Sequence, residues 1–135
     1  MTGSLALTLL EEFFAAENAR DWPVYAQYLH PDVEWIVVQG DEPRIVQGAA
    51  AYLETIREAY DGSPMTFRCV QTISSEDDTR VGTLLVDESG HRSLEVFEFQ
   101  DGLIRREWEY LLGTGGDWNG DVVEFRSGIA SGGKE

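Results

Sequence analysis

The chain has 135 residues, 42% of them hydrophobic and 11% aromatic, which is enough for one domain with a single core and too apolar for a disordered segment. Ten basic against twenty-five acidic side chains leave a formal net charge of −15, and that balance excludes nucleic acid and anionic membrane surfaces as partners, since both require a basic patch. One cysteine excludes an intrachain disulfide and a Cys-rich metal site, and no apolar run reaches the roughly 20 residues of a membrane span, so a soluble, cytoplasmic protein is expected.

Leu5 to Ala19 places Leu5, Leu9, Phe13 and Ala16 at helical spacing, with Leu10 and Phe14 beside them and Ser4 as an N-cap. Asp21 is suited to cap a second, short helix in which Pro23 sits early, where its missing N–H costs least, and Tyr25, Tyr28 and Leu29 supply that helix's buried side. His30-Pro31-Asp32 ends it. Val33 to Gln39 reads as a strand by its β-branched and aromatic content, and a Gly-Asp-Glu-Pro turn leads to a short extended piece, Arg44 to Gln47. Gly48 to Tyr60 is a third helix with Tyr52, Leu53, Ile56 and Tyr60 on its apolar side.

Four strands follow: Met65 to Ser74, Arg80 to Val86, and the two arms of the hairpin Ser93 to Leu112. Cys69, inside the first of these, is expected to be a packed thiol. In the hairpin, Asp101-Gly102 is suited to a type I′ turn. A two-residue loop then pairs Gln100 with Leu103, Phe99 with Ile104, Glu98 with Arg105, Val96 with Glu107 and Leu94 with Glu109. One face carries Phe97, Phe99, Ile104, Trp108 and Tyr110; the other carries Leu94, Val96, Glu107, Glu109 and Leu111. Aromatic residues on one face and aliphatic residues with carboxylates on the other predict that neither is simply solvated. From Gly113 onward, half of the fourteen glycines fall in the last twenty-three residues, so residues 1–112 form the domain and 113–135 a mobile Gly-rich tail, with Val122 to Phe125 as an edge strand or a cover over a pocket.

Helices first and an antiparallel meander afterwards predict an α+β fold: a curved, mostly antiparallel sheet wrapped around three helices from the N-terminal half, forming a cone with an interior pocket. Phe13-Phe14, Asp21-Trp22, the run Leu29-His30-Pro31-Asp32-Val33-Glu34-Trp35, Gly48, and Val96 to Ile104 leading to Glu109-Tyr110 resemble the SnoaL-like branch of the nuclear-transport-factor-2-like (cystatin-like α+β cone) superfamily. The resemblance covers residues 5 to 112 and implies the fold. It leaves function open, because the superfold hosts isomerases, cyclases, hydrolases, dehydratases and binding modules.

The resemblance also locates known chemistry on this chain. The ketosteroid-isomerase base falls at Val37 and its first-helix oxyanion tyrosine at Phe13, so that chemistry loses two parts. The Arg and two Asp of limonene-epoxide-hydrolase-like sites fall at Leu85, Asp87 and Glu109, without the Arg. Trp108-Glu109 is similar to the Trp-acid pair of the polyketide cyclases, with Glu where they have Asp, which moves the carboxylate by roughly 1.5 Å.

The same register points Trp35, Val37, Leu85, Leu94, Val96, Glu107, Glu109 and Leu111 into the cone. A carboxylate among Trp, Leu and Val is desolvated and suited to take a proton from a carbon acid, and Glu107 beside Glu109 resists joint ionisation. Tyr25, Tyr52, Tyr28 and His30 are candidate donors to a developing oxyanion, and Tyr25 and Tyr52 are also candidate substrate contacts. No cofactor is implied. No His spacing suits a metal: His30 and His91 read as structural and exposed, and Asp87 as a turn residue.

Two functions stay open. One is a cofactor-independent cyclase, isomerase or lyase acting on an apolar or polycyclic small molecule, with Glu109 as acid/base. The other is a non-catalytic ligand-binding or association module, favoured by a closed or Trp-filled cavity or by pocket acids all paired with Arg105 and Arg68. A homodimer through Phe97, Phe99, Trp108 and Tyr110 on the convex face is expected with either.

Overall fold

In the computed structural model, which describes residues 4–114, Ser4 accepts a hydrogen bond from the Leu7 amide and opens α1 (Leu5–Ala19). The carboxylate of Asp78 accepts from the Leu5 and Ala6 amides, so a turn distant in sequence completes the cap. Asp21 caps α2 (Trp22–Ala26), with Pro23 in its first turn. β1 (Leu29–Val38) starts four residues earlier than the β-branched run predicts, because Leu29 already pairs with Ile104. β2 (Arg44–Gln47), α3 (Ala49–Ala59), β3 (Phe67–Ser74), β4 (Arg80–Asp87), β5 (His91–Gln100) and β6 (Leu103–Thr114) follow.

The six strands form one sheet in the order β2-β1-β6-β5-β4-β3, antiparallel throughout except where β1 runs parallel to β6. Leu10, Phe13, Phe14, Tyr25, Tyr52 and Ile56 of the helices pack with Val33, Trp35, Val81, Leu85, Phe97 and Ile104 of the sheet in one core, so the fold is the expected α+β cone. The predicted tail lies outside the described residues from 115 onward, and with it Val122 to Phe125; β6 itself runs to Thr114.

The hairpin turn is type I′ as predicted, with Asp101 at φ 57° and Gly102 at φ 75°, and Gln100 and Phe99 pair with Leu103 and Ile104. Beyond Ile104 the expected register fails. Glu98 pairs with Arg106 rather than Arg105, Phe97 with Glu107, Val96 with Trp108 and Glu95 with Glu109, because β6 carries one extra residue at a bulge. An unbulged ladder would stand Arg106 opposite Phe97 in the core, where an unpaired guanidinium is costly. The bulge turns Arg106 outward to Glu34 (Nε to Oε1, 2.8 Å) and Glu98 (Nη1 to Oε1, 2.7 Å), and frees Arg105 to donate to the Asp32 carbonyl at 2.7 Å.

Two expectations are corrected by this shift. Leu94 and Val96 share the outer face with Trp108 and Tyr110 and do not enter the cone, whereas Phe97, fully buried, and Phe99 belong to the inner face and cannot form a convex interface. Cys69 is exposed rather than packed, since β3 is an edge strand exposed along nearly its whole length.

Asn18 at the end of α1 ties the helix to β3. Its Nδ2 donates to the Phe67 carbonyl at 2.9 Å and its Oδ1 accepts from the Phe67 amide at 3.1 Å, as a neighbouring strand would. Asn18→Ala is therefore expected to lower stability by about 1–3 kcal/mol in urea unfolding, with an unchanged midpoint counting against the tie.

Candidate functional site

Between the helices and the inner face of the sheet lies a cavity of about 250 Å³. The α-helices contribute Glu17, Tyr25, Tyr52 and Ile56, with Tyr60 just beyond α3; the sheet contributes Trp35, Leu85, Glu95, Glu107, Glu109 and Leu111. Glu107 and Glu109 enter it because they lie two apart on β6, paired in parallel with Trp35 and Val37 of β1 and antiparallel with Phe97 and Glu95 of β5.

Each acid is met by a neutral donor. The Trp35 indole Nε1–H donates to Glu109 Oε1 at 3.0 Å, Tyr52 donates to Glu107, Ser93 Oγ donates to Glu95 at 3.2 Å, and Tyr60 donates to Glu17 at 2.6 Å. Tyr25 extends the Tyr52–Glu107 contact into a chain, its hydroxyl donating to that of Tyr52 at 3.3 Å. Among the described residues no Arg forms an ion pair with any of these acids: Arg80, Arg105 and Arg106 serve Glu34 and Glu98, Arg68 is exposed, and Arg92 lines the cavity without pairing to them.

Burial without a cation favours the neutral form of a carboxyl group. Burial first, then the charge of Glu109, push Glu107 up to about 8. Burial, then the charges of Glu109 and Glu107, hold Glu95 well above the carboxylate range. Glu109 is also raised by burial, but the hydrogen bonds from Trp35 and from Glu95 hold it back. Burial raises Glu17 to about 7 against the lowering effect of the Tyr60 hydroxyl. Tyr25 and Tyr52 are pushed far up by burial and neighbouring acids and stay protonated donors. The result is one group most able to carry negative charge, Glu109, beside protonated Glu95 and Glu107.

Carboxylate oxygens of Glu95, Glu107 and Glu109 lie within 4.8 Å of one another, so these are the side chains that could hold a cation. Of the other residues read from the sequence, Trp35, Tyr25, Tyr52, Leu85, Glu107, Glu109 and Leu111 meet at the cavity, Leu111 at its mouth with 43% exposure. Val37 shares the face of Trp35 but packs on the core, and Leu94 and Val96 lie on the other side of the sheet. Tyr28 donates to Glu12 at 2.9 Å and His30 Nδ1 accepts from the Asp32 amide at 3.0 Å, so neither reaches the site. Asp87 and His91 are at the rim, where Asp87 Oδ1 accepts from the Ser89 and His91 amides.

Sequence reasoning passed over Glu17, Tyr60, Ser93 and the inward placement of Glu95. Glu17 left a legible sign: it continues the Leu10–Phe13 stripe at helical spacing, an acid on an apolar face.

The profile of the SnoaL-like domain matches residues 10–107. Among solved structures, a SnoaL-like protein of unknown function from Burkholderia thailandensis aligns at 20% identity over 83% of this chain and 98% of its own, with a TM-score of 0.71. A protein of unknown function with a cystatin-like fold from Methylobium petroleophilum aligns at 14% identity over 85% and 80%, with a TM-score of 0.71. A candidate ketosteroid isomerase from Kribbella flavida aligns at 23% identity over 79% and 77%, with a TM-score of 0.65. At these identities the likeness is one of fold. No curated protein matches the chain.

Proposed function

The chain belongs to the SnoaL-like domain family, and from that premise we propose that its cavity transfers protons at carbon, with Glu109 as the acid/base group of a cofactor-independent isomerase, cyclase or lyase. The observation that carries this reading is a carboxylate held in an aromatic cavity by an indole N–H and a neighbouring acid, with no ion pair to it among the described residues. Glu107 and Glu95, protonated at neutral pH, and the Tyr25–Tyr52 chain are donors suited to a developing enolate oxygen.

The cavity volume of about 250 Å³ lies below the range of roughly 300–1,000 Å³ usual for drug-sized ligands, which favours a compact carbonyl compound over a polycyclic one. Pocket acids paired with Arg105 and Arg68 would favour a non-catalytic binding module, and those side chains are engaged or exposed elsewhere. The test is deuterium exchange at the α-carbon of compact cyclic ketones, cyclohexanone first, in D2O by NMR. Exchange at the buffer rate with every member would sink the proposal.

The outer face of the sheet carries Ile36, Leu94, Val96, Trp108 and Tyr110, with no helix over it among the described residues, and supports a homodimer through Trp108 and Tyr110 without Phe97 or Phe99. Trp108→Lys is expected to turn a dimer into a monomer by light scattering. A monomeric wild-type protein would dismiss the interface.

A further inference from the structure

Glu17 stands apart from the three sheet acids. It comes from the helix side of the cavity, belongs to α1 rather than β5 or β6, and has its own fixed support. Tyr60 donates to it at 2.6 Å, and the guanidinium of Arg20 lies 4.0 Å over the Tyr60 ring. Arg20 in turn is held by the carbonyls of Ser63 and Met65 at 2.6 and 2.7 Å. An apolar side chain at this point of the Leu10–Phe13 stripe would serve the core better, because an acid in a cavity without an ion pair must shed its hydration. The arrangement puts two carboxyl groups on facing walls, one from the sheet and one from the helices, each oriented by its own aromatic donor.

We propose that Glu17 is a general acid working with Glu109 as base, and that the pocket dehydrates a compact β-hydroxycarbonyl compound. The inference rests on the reading of Glu109 as the base. A single carboxylate can move a proton between two carbons of one face and needs no second acid. A poor leaving group such as hydroxide does need one, delivered at the site where the bond breaks. Glu109 takes the proton from the α-carbon, the electron pair of that C–H bond forms the C=C bond, the C–O bond breaks, and Glu17 gives its proton to the departing oxygen, which leaves as water. Glu109 ends protonated and Glu17 ionised, and exchange of one proton with solvent restores both.

The groups facing Glu17 are Tyr60 from beyond α3, Tyr25 from α2, Arg20 next to α1, Glu107 and Glu109 on β6 and Glu95 on β5, and Arg92 of β5 lines the same cavity. With its proton affinity raised to about 7, Glu17 is poised to give up a proton near neutrality.

The probe is 3-hydroxycyclohexanone, followed by the appearance of the conjugated enone, alongside deuterium exchange at its α-carbon. The wild-type protein is expected to form the enone, Glu17→Gln to lower elimination by roughly 100-fold or more while exchange falls less than tenfold, and Glu109→Gln to lose both. Parallel loss of both activities in Glu17→Gln, or full elimination by it, overturns the role of Glu17. Exchange without elimination in the wild-type protein overturns the inference and leaves the reading of Glu109 standing; neither activity removes that reading as well. Tyr60→Phe supplies an independent measure. An acid must be protonated to act, so its rate falls as pH rises through its pKa, and loss of the hydroxyl that lowers this pKa should move the alkaline limb to higher pH by about 0.5–1 unit. An unmoved limb counts against the proposal.

Discussion

Glu109→Gln is expected to lower α-proton exchange by a factor of about 10² to 10⁴ while leaving the melting temperature unchanged or higher. The two effects have opposite signs for one reason. The ionised carboxylate gives up hydration to sit between Trp35 and the acids of β5 and β6, and for that reason burial raises its pKa. Glutamine has the same shape and still offers an oxygen to the indole N–H of Trp35, so the packing and the 3.0 Å contact survive while the charge that had to be desolvated is gone. Basicity is lost with it. Full activity in this variant would dismiss Glu109 as base, and a cooperative loss of several degrees in melting temperature would make it a structural carboxylate instead.

Stability should fall as the solution is made alkaline, and the acids of the cavity set the direction. Glu17 moves from an ordinary 4.5 to about 7 and Glu107 from 4.5 to about 8, so between these limits the folded chain binds more protons than the unfolded one. A raised acid contributes its stability in full below the unfolded value and loses it as pH rises through the folded one. The melting temperature is therefore expected to fall by roughly 10 °C or more from pH 5 to 8.5. The outer face works the other way. A hydrogen bond from Arg106 lowers Glu34; at Glu98 burial pushes upward, but Arg80 and Arg106 outweigh it. Those contributions are present above the unfolded value and are lost in acid, so maximal stability is expected near pH 5. Glu107→Gln should flatten the alkaline slope. A melting temperature that rises steadily from pH 5 to 8.5 would contradict the burial of these acids.

Much of this molecule is local in origin. Ser4 and Asp21 as caps, the 3.6-residue spacing of Leu10 and Phe13, the early Pro23 and the Asp101-Gly102 turn each act within a few residues, and every helix and strand they imply is present. The inward pair Glu107 and Glu109 was also legible, since alternation along one strand needs no partner. Two faces of one hairpin were not. Alternation runs equally well along both arms, and which residue of β5 stands beside which residue of β6 depends on a single inserted position near Arg105.

From its own residues, then, the sequence determined the elements, their order, the α+β class and the acids of the last strand in the chain, because caps, turns and periodicity are short-range forces. The bulge that sent Phe97 and Glu95 inward and Leu94 and Val96 outward was decided by tertiary structure. So was the meeting of Glu17 from the first helix with three acids from the sheet. A guanidinium had to reach Glu34 and Glu98, and a helix had to cross a curved sheet, before either choice had an energy attached to it.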